Sequence, residues 1–279
     1  MKFITVTKPG IIMGNLITLS GGFFLASHGH VNIQLFFVTL IAMTLVIASG
    51  CVFNNYIDRD IDQLMERTKE RVLVKGLISG KVALLYASLL GIAGLLLFFF
   101  GTNLLTTLIA ITGMFIYVVV YSLWSKRKSI YGTLIGAIAG AVPPVAGYCA
   151  VTNRFDFGAA IVFSILFCWQ IPHSYAINIY RYKDYLAAGI PVFPIIKNIQ
   201  STKISMFLYV MAFALAALLP TLFGYTGFIY FAVALCVGLV WLYFALKGFS
   251  TDNNVQWSRR MFTISILNIT LLSVMMSVS

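Results

Sequence analysis

The chain has 279 residues, of which 60% are hydrophobic and only 10% charged, with 19 lysines and arginines against 8 acids. A soluble domain carries charge on about a quarter of its positions, so that class is excluded, together with disorder and a disulfide-stapled secreted scaffold. The formal net charge of +11 is no nucleic-acid footprint, because the cations stand between long uncharged runs and no soluble basic domain carries them.

A transmembrane helix needs about 20 apolar residues. Residues 9–57 contain no Asp, Glu, Lys or Arg and can hold two spans, with a hairpin at Ser27–Val31. Residues 82–125 hold two more, broken at Gly101–Asn103. Residues 129–153 and 157–180 hold one each. Residues 204–246 hold two, broken at Gly224–Gly227, and residues 261–279 hold the last. The runs are continuous rather than alternating, which excludes an outer-membrane barrel. Helices also satisfy their own backbone groups in lipid. The expected fold is an all-α polytopic membrane protein, a single domain over residues 1–279 with nine transmembrane helices around an intramembrane cavity.

These breaks put eighteen of the nineteen lysines and arginines on one side and Arg154 alone on the other. Basic residues collect on the cytoplasmic side, so the N-terminus is expected there and the C-terminus outside. The cytoplasmic loops then cover about residues 57–79, 125–131, 181–203 and 247–260, where the cations also meet anionic lipid headgroups. Cys51, Cys149, Cys168 and Cys236 lie in or beside spans without metal-type spacing and are expected to be small packing residues. His28 and His30 fall in an outer loop.

Carboxylates at a membrane edge are functional candidates by default. Ten of the charged residues crowd into residues 58–75, directly after the second span. Asn54, Asp58 and Asp62 are spaced four apart, which on a helix keeps them on one face with a drift of about 40° per step. Stacked acids repel and want a counter-ion, and hard oxygen ligands of this kind suit Mg²⁺ with phosphate oxygens. A solvated loop whose acids pair with Arg59, Arg67, Lys69 and Arg71 is the ordinary alternative. Arg67 and Arg71, themselves four apart, would complete a diphosphate clamp. Tyr121 and Lys126 end the fourth span, as interfacial anchors or as further phosphate contacts. His173 lies in or near the sixth span, as a satisfied core residue, a base or a ligand. Arg181, Lys183 and Asp184 follow as a second polar cluster on the same side. Pro143, Pro144 and Pro172 are expected to kink or break their helices.

The stretch N-N-Y-I-D-R-D-I-D at residues 54–62 resembles the Asn-x3-Asp-x3-Asp motif of the UbiA superfamily of intramembrane prenyltransferases. The following E-R-T-K-E-R-V-L resembles that superfamily's Arg-Thr-x-x-Arg-Pro-Leu segment, with Val72 where proline is common. V-T-K-P-G, Y-S-L-W-S-K-R-K-S, G-A-V-P-P-V-A-G-Y, W-Q-I-P-H-S-Y and D-Y-L-A-A-G-I-P-V-F-P are similar to the branch that acts on protoheme IX. The resemblance runs from about residue 6 to the C-terminus. It implies transfer of a farnesyl group from farnesyl diphosphate to a vinyl group of protoheme IX, with addition of water, giving heme O and diphosphate. It implies Asp58 and Asp62 as Mg²⁺ ligands, with Asn54 orienting or ligating and Asn55 beside it. Arg67, Arg71 and Lys126 would meet the departing diphosphate. His173 would face the heme as iron ligand or base, with Arg181 and Lys183 near its propionates. Many superfamily members carry a second aspartate-rich stretch after the sixth span, and this chain has only Asp184 there. The resemblance further implies a bacterial cytoplasmic (inner) membrane, a cytoplasmic active face, and a product handed to a terminal oxidase assembly pathway or a heme-modifying enzyme. A UbiA-type enzyme acting on an aromatic or quinone precursor, and a membrane heme carrier, are the competing readings.

Overall fold

The computed structural model describes residues 2–278, and among these every regular element is a helix. Eight helices are long and apolar enough to cross a membrane. They are α1 (Pro9–Ser27), α2 (Ile33–Ile57), α3 (Gly80–Gly101), α4 (Leu104–Lys128), α5 (Gly132–Thr152), α6 (Phe157–Tyr180), α7 (Ile199–Leu222) and α8 (Phe228–Ser250). A further long helix, α9 (Asn254–Met275), packs against α6, α8 and α1 and so closes the bundle from last helix to first. It starts seven residues before the uncharged run that predicted it, and takes Arg259 and Arg260 into its early turns. Long cationic side chains tolerate this, since their stems lie along apolar surface while the charge reaches the interface. Its composition is correspondingly less apolar than that of the other eight.

Six of the nine long helices start where a short polar side chain satisfies one of their first free N–H groups. Asn32, Ser79, Asn103, Asp156, Asn198 and Asn253 accept from the backbone N–H three residues on. Pro9 opens α1, where a missing N–H costs nothing. The three expected hairpins are present, between Ser27 and Ile33, Gly101 and Leu104, and Leu222 and Phe228. Pro143 and Pro144 behave as expected: α5 is interrupted at Ala141, and both prolines sit in the first turn of its second half. Pro172 does not break its helix, and α6 runs unbroken through it. Neighbouring helices in a bundle tolerate such a proline. Cys51 and Cys149 are buried, while Cys236 is exposed on the outer surface.

Large apolar side chains cover the outside, Phe100 at 79% and Phe228 at 78% exposure among them. That is a surface built for lipid, so the chain is a multi-pass integral membrane protein. Lipid gives helices no hydrophobic reason to associate, and close packing of small residues takes over. The α1–α5 contact shows it. A Cβ on Gly22 would run into the Pro144 carbonyl, and one on Gly147 into the Leu19 carbonyl. Gly147→Ala is therefore expected to cost about 1–3 kcal/mol, read as a lower melting midpoint in detergent. Gly10→Ala, with nothing within 4 Å of the new methyl, is expected to leave the midpoint unchanged or slightly raised.

Candidate active site

Where α2 ends, the backbone keeps its helical register into a short helix, Arg59–Asp62. Asp58 N donates to the Asn54 carbonyl at 2.9 Å and Asp62 N to the Asp58 carbonyl at 2.8 Å. The fourfold spacing of the sequence thus becomes a physical stack. Asn54, Asp58 and Asp62 are 4%, 0% and 1% exposed, so two carboxylates are buried at the bundle's edge. Asn54 Nδ2 donates to Asp58 Oδ2 at 2.8 Å and to Ser122 Oγ at 3.0 Å.

A buried carboxylate needs compensating charge, and four cations supply it. Lys126 Nζ pairs with Asp58 Oδ2. Arg71 Nη1 donates to Asp62 Oδ2 at 2.5 Å. Arg127 lies 3.8 Å from Asp58 Oδ1, grips both oxygens of Asp60 at 2.6 and 2.7 Å, and donates to the Ile57 carbonyl at 2.6 Å. That grip holds the Asp60 carboxyl down at about 2. The fourth is Lys8, whose Nζ donates to Asn54 Oδ1 at 2.6 Å. Burial, and then the charge of Arg71, lower the Lys8 ammonium to about 8. Lys8 also holds a left-handed backbone, φ 56°, a conformation uncommon for a side chain of its size.

Asp58 Oδ1 and Asp62 Oδ1 are both buried without a hydrogen-bond partner. Two such oxygens at one end of a stack fit a hard cation. Among the described residues no group of three or more His, Cys, Asp and Glu side chains comes together. The donor set therefore suits Mg²⁺, which takes one or two carboxylates and fills its shell with waters and phosphate oxygens.

Two cavities lie beyond the stack, reached through Lys126, which pairs with Asp58 and lines the first of them. The polar one, about 230 Å³, has Tyr121, Lys126, Ser174, Asn178 and Tyr185 in its walls. The apolar one, about 210 Å³, runs inward past Met43, Val46, Cys51, Met114 and Pro143. Tyr117, Gly136 and Gln170 line both. The wall between them comes from a stretch of α4, Ile116–Ser125, that is wound as a π-helix. Its wider turn brings Ser122 Oγ to the Tyr117 carbonyl at 2.9 Å. Tyr117 stacks on Tyr121, four residues on, with ring centroids 6.0 Å apart. π-turns interrupt the usual ladder and concentrate at functional sites.

The UbiA prenyltransferase family profile matches residues 15–267. The chain belongs to the UbiA prenyltransferase family. Relatives named protoheme IX farnesyltransferase are 59% identical in Yersinia enterocolitica and 58% in Cronobacter sakazakii, each over 99% of this chain and 94% of its own length. A solved structure concerning digeranylgeranylglyceryl phosphate synthase superimposes over 100% of both chains with a TM-score of 0.78 at 20% identity. A UbiA homolog from Archaeoglobus fulgidus bound to GPP and Mg²⁺ does so with 0.70 at 15%. The UbiA fold is thereby shown.

Within this UbiA bundle, Asn54, Asp58, Asp62, Arg71, Tyr121 and Lys126 are gathered as the sequence suggests. Asp184 reaches the same end: its Oδ1 accepts from Glu66 N at 3.2 Å, and Arg181 stands 3.8 Å from its Oδ2. Asp184 thus ties the two loops together. Arg67 is exposed, though its charge acts on Tyr185 in the polar cavity wall. Lys183 is exposed. Two residues are turned elsewhere. Asn55 Nδ2 donates to the Val6 carbonyl at 2.7 Å and so anchors the N-terminal segment. His173 pairs its Nδ1 with Ser265 Oγ at 2.7 Å, between Trp169 and Phe262, and lines neither cavity.

Sequence reasoning gave no role to Lys8, Tyr117, Ser122 and Gln170, and took Arg127 only as one cation of the run that ends α4. Lys8 had a signal, a lone cation directly before Pro9 and the first span. Tyr117 had one too, its place four residues before Tyr121, whereas Ser122 had none, since its bond to the Tyr117 carbonyl depends on the π-turns. Lys8→Met is expected to weaken binding of inorganic diphosphate with Mg²⁺ by roughly tenfold, the worth of a charged hydrogen bond. Titration calorimetry in detergent reads it, and an unchanged affinity would assign Lys8 to holding the N-terminal segment alone.

Proposed function

We propose that the chain transfers a farnesyl group from farnesyl diphosphate to a vinyl group of protoheme IX, with addition of water, and releases diphosphate. The observation that carries this is the buried Asp58–Asp62 stack, with two carboxylate oxygens that lack hydrogen bonds, paired through Asp58 with Lys126 in the wall of a polar cavity that shares Tyr117, Gly136 and Gln170 with an apolar one. The acceptor rests on the 59% identity to a protoheme IX farnesyltransferase over nearly the whole chain. The site faces the cytoplasm, from a bacterial inner membrane, in keeping with the eighteen-to-one distribution of Lys and Arg.

Mg²⁺ held by Asp58 and Asp62, with Asn54 in support, would neutralise the diphosphate and make it a better leaving group. Lys126 and Arg71 already point into the stack, and they meet the charge that builds on the departing diphosphate. Lys8 fixes Asn54 from the other side. The farnesyl chain enters the apolar cavity, so its reacting carbon lies where the two cavities join. The bond from that carbon to oxygen breaks, and the allylic cation faces the rings of Tyr117 and Tyr121, whose π-clouds favour a cation. The vinyl carbon then attacks, and the charge moves to the carbon next to the porphyrin ring. Arg181, Arg67 and Lys183 stand at the loop end, where a porphyrin's propionates would emerge.

Asp58→Asn and Asp62→Asn are each expected to lower farnesylation of protoheme by at least about a hundredfold, the scale of losing one preorganised charge at a reacting centre. Chelation of Mg²⁺ should abolish it, with purified protein in lipid and products read by mass spectrometry. Prenylation of an aromatic acceptor beside unmodified protoheme would replace this reading by the quinone-type one. Protoheme bound with nothing prenylated would leave a carrier.

A further inference from the structure

Gln170, Ser174 and Asn178 recur at every fourth position of α6 and all line the polar cavity. That spacing puts them on one face of the helix. Trp169 and His173, on the neighbouring face, are used up on α9, where they bond to the Ser265 carbonyl and hydroxyl. The stripe is not used up. Asn178 is 5% exposed and its Nδ2 has no hydrogen-bond partner. Among the described residues the Gln170 amide and the Ser174 hydroxyl make no hydrogen bond to other protein groups. Polar groups inside a membrane bundle are costly unless something satisfies them.

Gln170 is the end of the stripe that touches both cavities, and with Tyr117 it frames their junction. The fold makes room for it: a Cβ on Gly140 would collide with the Gln170 amide. So a space has been kept for one amide at the point where the reacting carbon lies.

The proposed reaction needs that amide. Once the farnesyl carbon has bonded to the vinyl terminus, the cation beside the porphyrin has two fates. Water can add through its oxygen and pass a proton to the released diphosphate, giving the hydroxyl product. Alternatively, the neighbouring CH₂ can lose a proton to the released diphosphate, giving an alkene lighter by one water. We propose that Gln170 holds the water that adds, and that Ser174 and Asn178 line its path from the loop end of the polar cavity. A held water needs two or more polar partners, and the Gln170 amide with the Tyr117 hydroxyl and Ser174 can supply them. This rests on the function proposed above.

The test is the ratio of the two products, with purified protein in lipid, protoheme, farnesyl diphosphate and Mg²⁺. Gln170→Leu is expected to raise the share of the alkene by about tenfold or more, in line with one lost hydrogen bond. Gly140→Ala, which displaces the amide without removing it, is expected to move the ratio the same way. Ser174→Ala should move it less. A ratio does not depend on how much protein folds, and a merely structural Gln170 would lower yield without changing it. Hydrated product in the wild-type proportion from both Gln170→Leu and Gly140→Ala overturns the proposal. Wild-type protein that leaves protoheme unmodified overturns the functional reading, and this proposal with it.

Discussion

Two carboxylates taken out of water at the rim of a hydrocarbon slab set the terms for this molecule. Each would cost several kcal/mol if left uncompensated. The nearby Lys8, Arg71, Lys126 and Arg127 more than match them in charge. Folding alone asks for no such arrangement, since leucines in the same places would pack at no electrostatic cost. The excess of positive charge makes sense for a ligand with several negative charges of its own. A diphosphate with its metal would bring the cluster close to neutrality, and would take over the cations that now hold the acids. On the proposed function, the resting ion pairs stand in for the substrate contacts.

The same cluster explains why α4 departs from regular winding. An α-helix through Ile116–Ser125 would rotate Lys126 and Arg127 away from the acids, while Tyr117 and Tyr121, four residues apart, would be neighbours under either winding. Ten residues of π-winding turn the end of α4 so that both cations meet Asp58 while both rings face the cavities. The cost in helix hydrogen bonding is met by a helix that leaves its Ser122 hydroxyl to support both Asn54 and its own ladder.

Much of this was legible in the sequence. Uncharged runs gave the helices, because lipid tolerates almost nothing else, and Gly, Asn and His gave the hairpins. The Asn54–Asp58–Asp62 row was readable because its register is local and runs straight on from α2. Contacts between distant segments were not readable. Asn54 and Asn55 are neighbours of the same type, and only the packed bundle sends one to Lys8 and the carboxylate stack and the other to Val6. His173 stood out as an intramembrane histidine, while the polar stripe one position over, Gln170–Ser174–Asn178, passed as ordinary helix. A histidine is conspicuous by type, but which face of α6 meets a cavity depends on α4 and α5. The last helix blurred for another reason: composition marks where charge stops, whereas a helix begins at its cap, Asn253.

The site is drawn from four separate stretches: Lys8, residues 54–71, the end of α4 and one face of α6. None of these contacts exists until the bundle closes, which couples the packing of apolar helices to the chemistry. Lys8 shows the link most directly. It stands immediately before α1, in a strained left-handed conformation, so its ammonium reaches Asn54 only if α1 sits at the right depth. That depth is set by the α1–α5 contact, where Gly22 and Gly147 let two backbones touch. A methyl group placed there would shift α1 outward or along its axis and draw Lys8 away from the acids. The Asp58–Asp62 stack would then keep its burial and lose one of its cations. A contact deep among apolar side chains thus sets the charge balance at the membrane's edge.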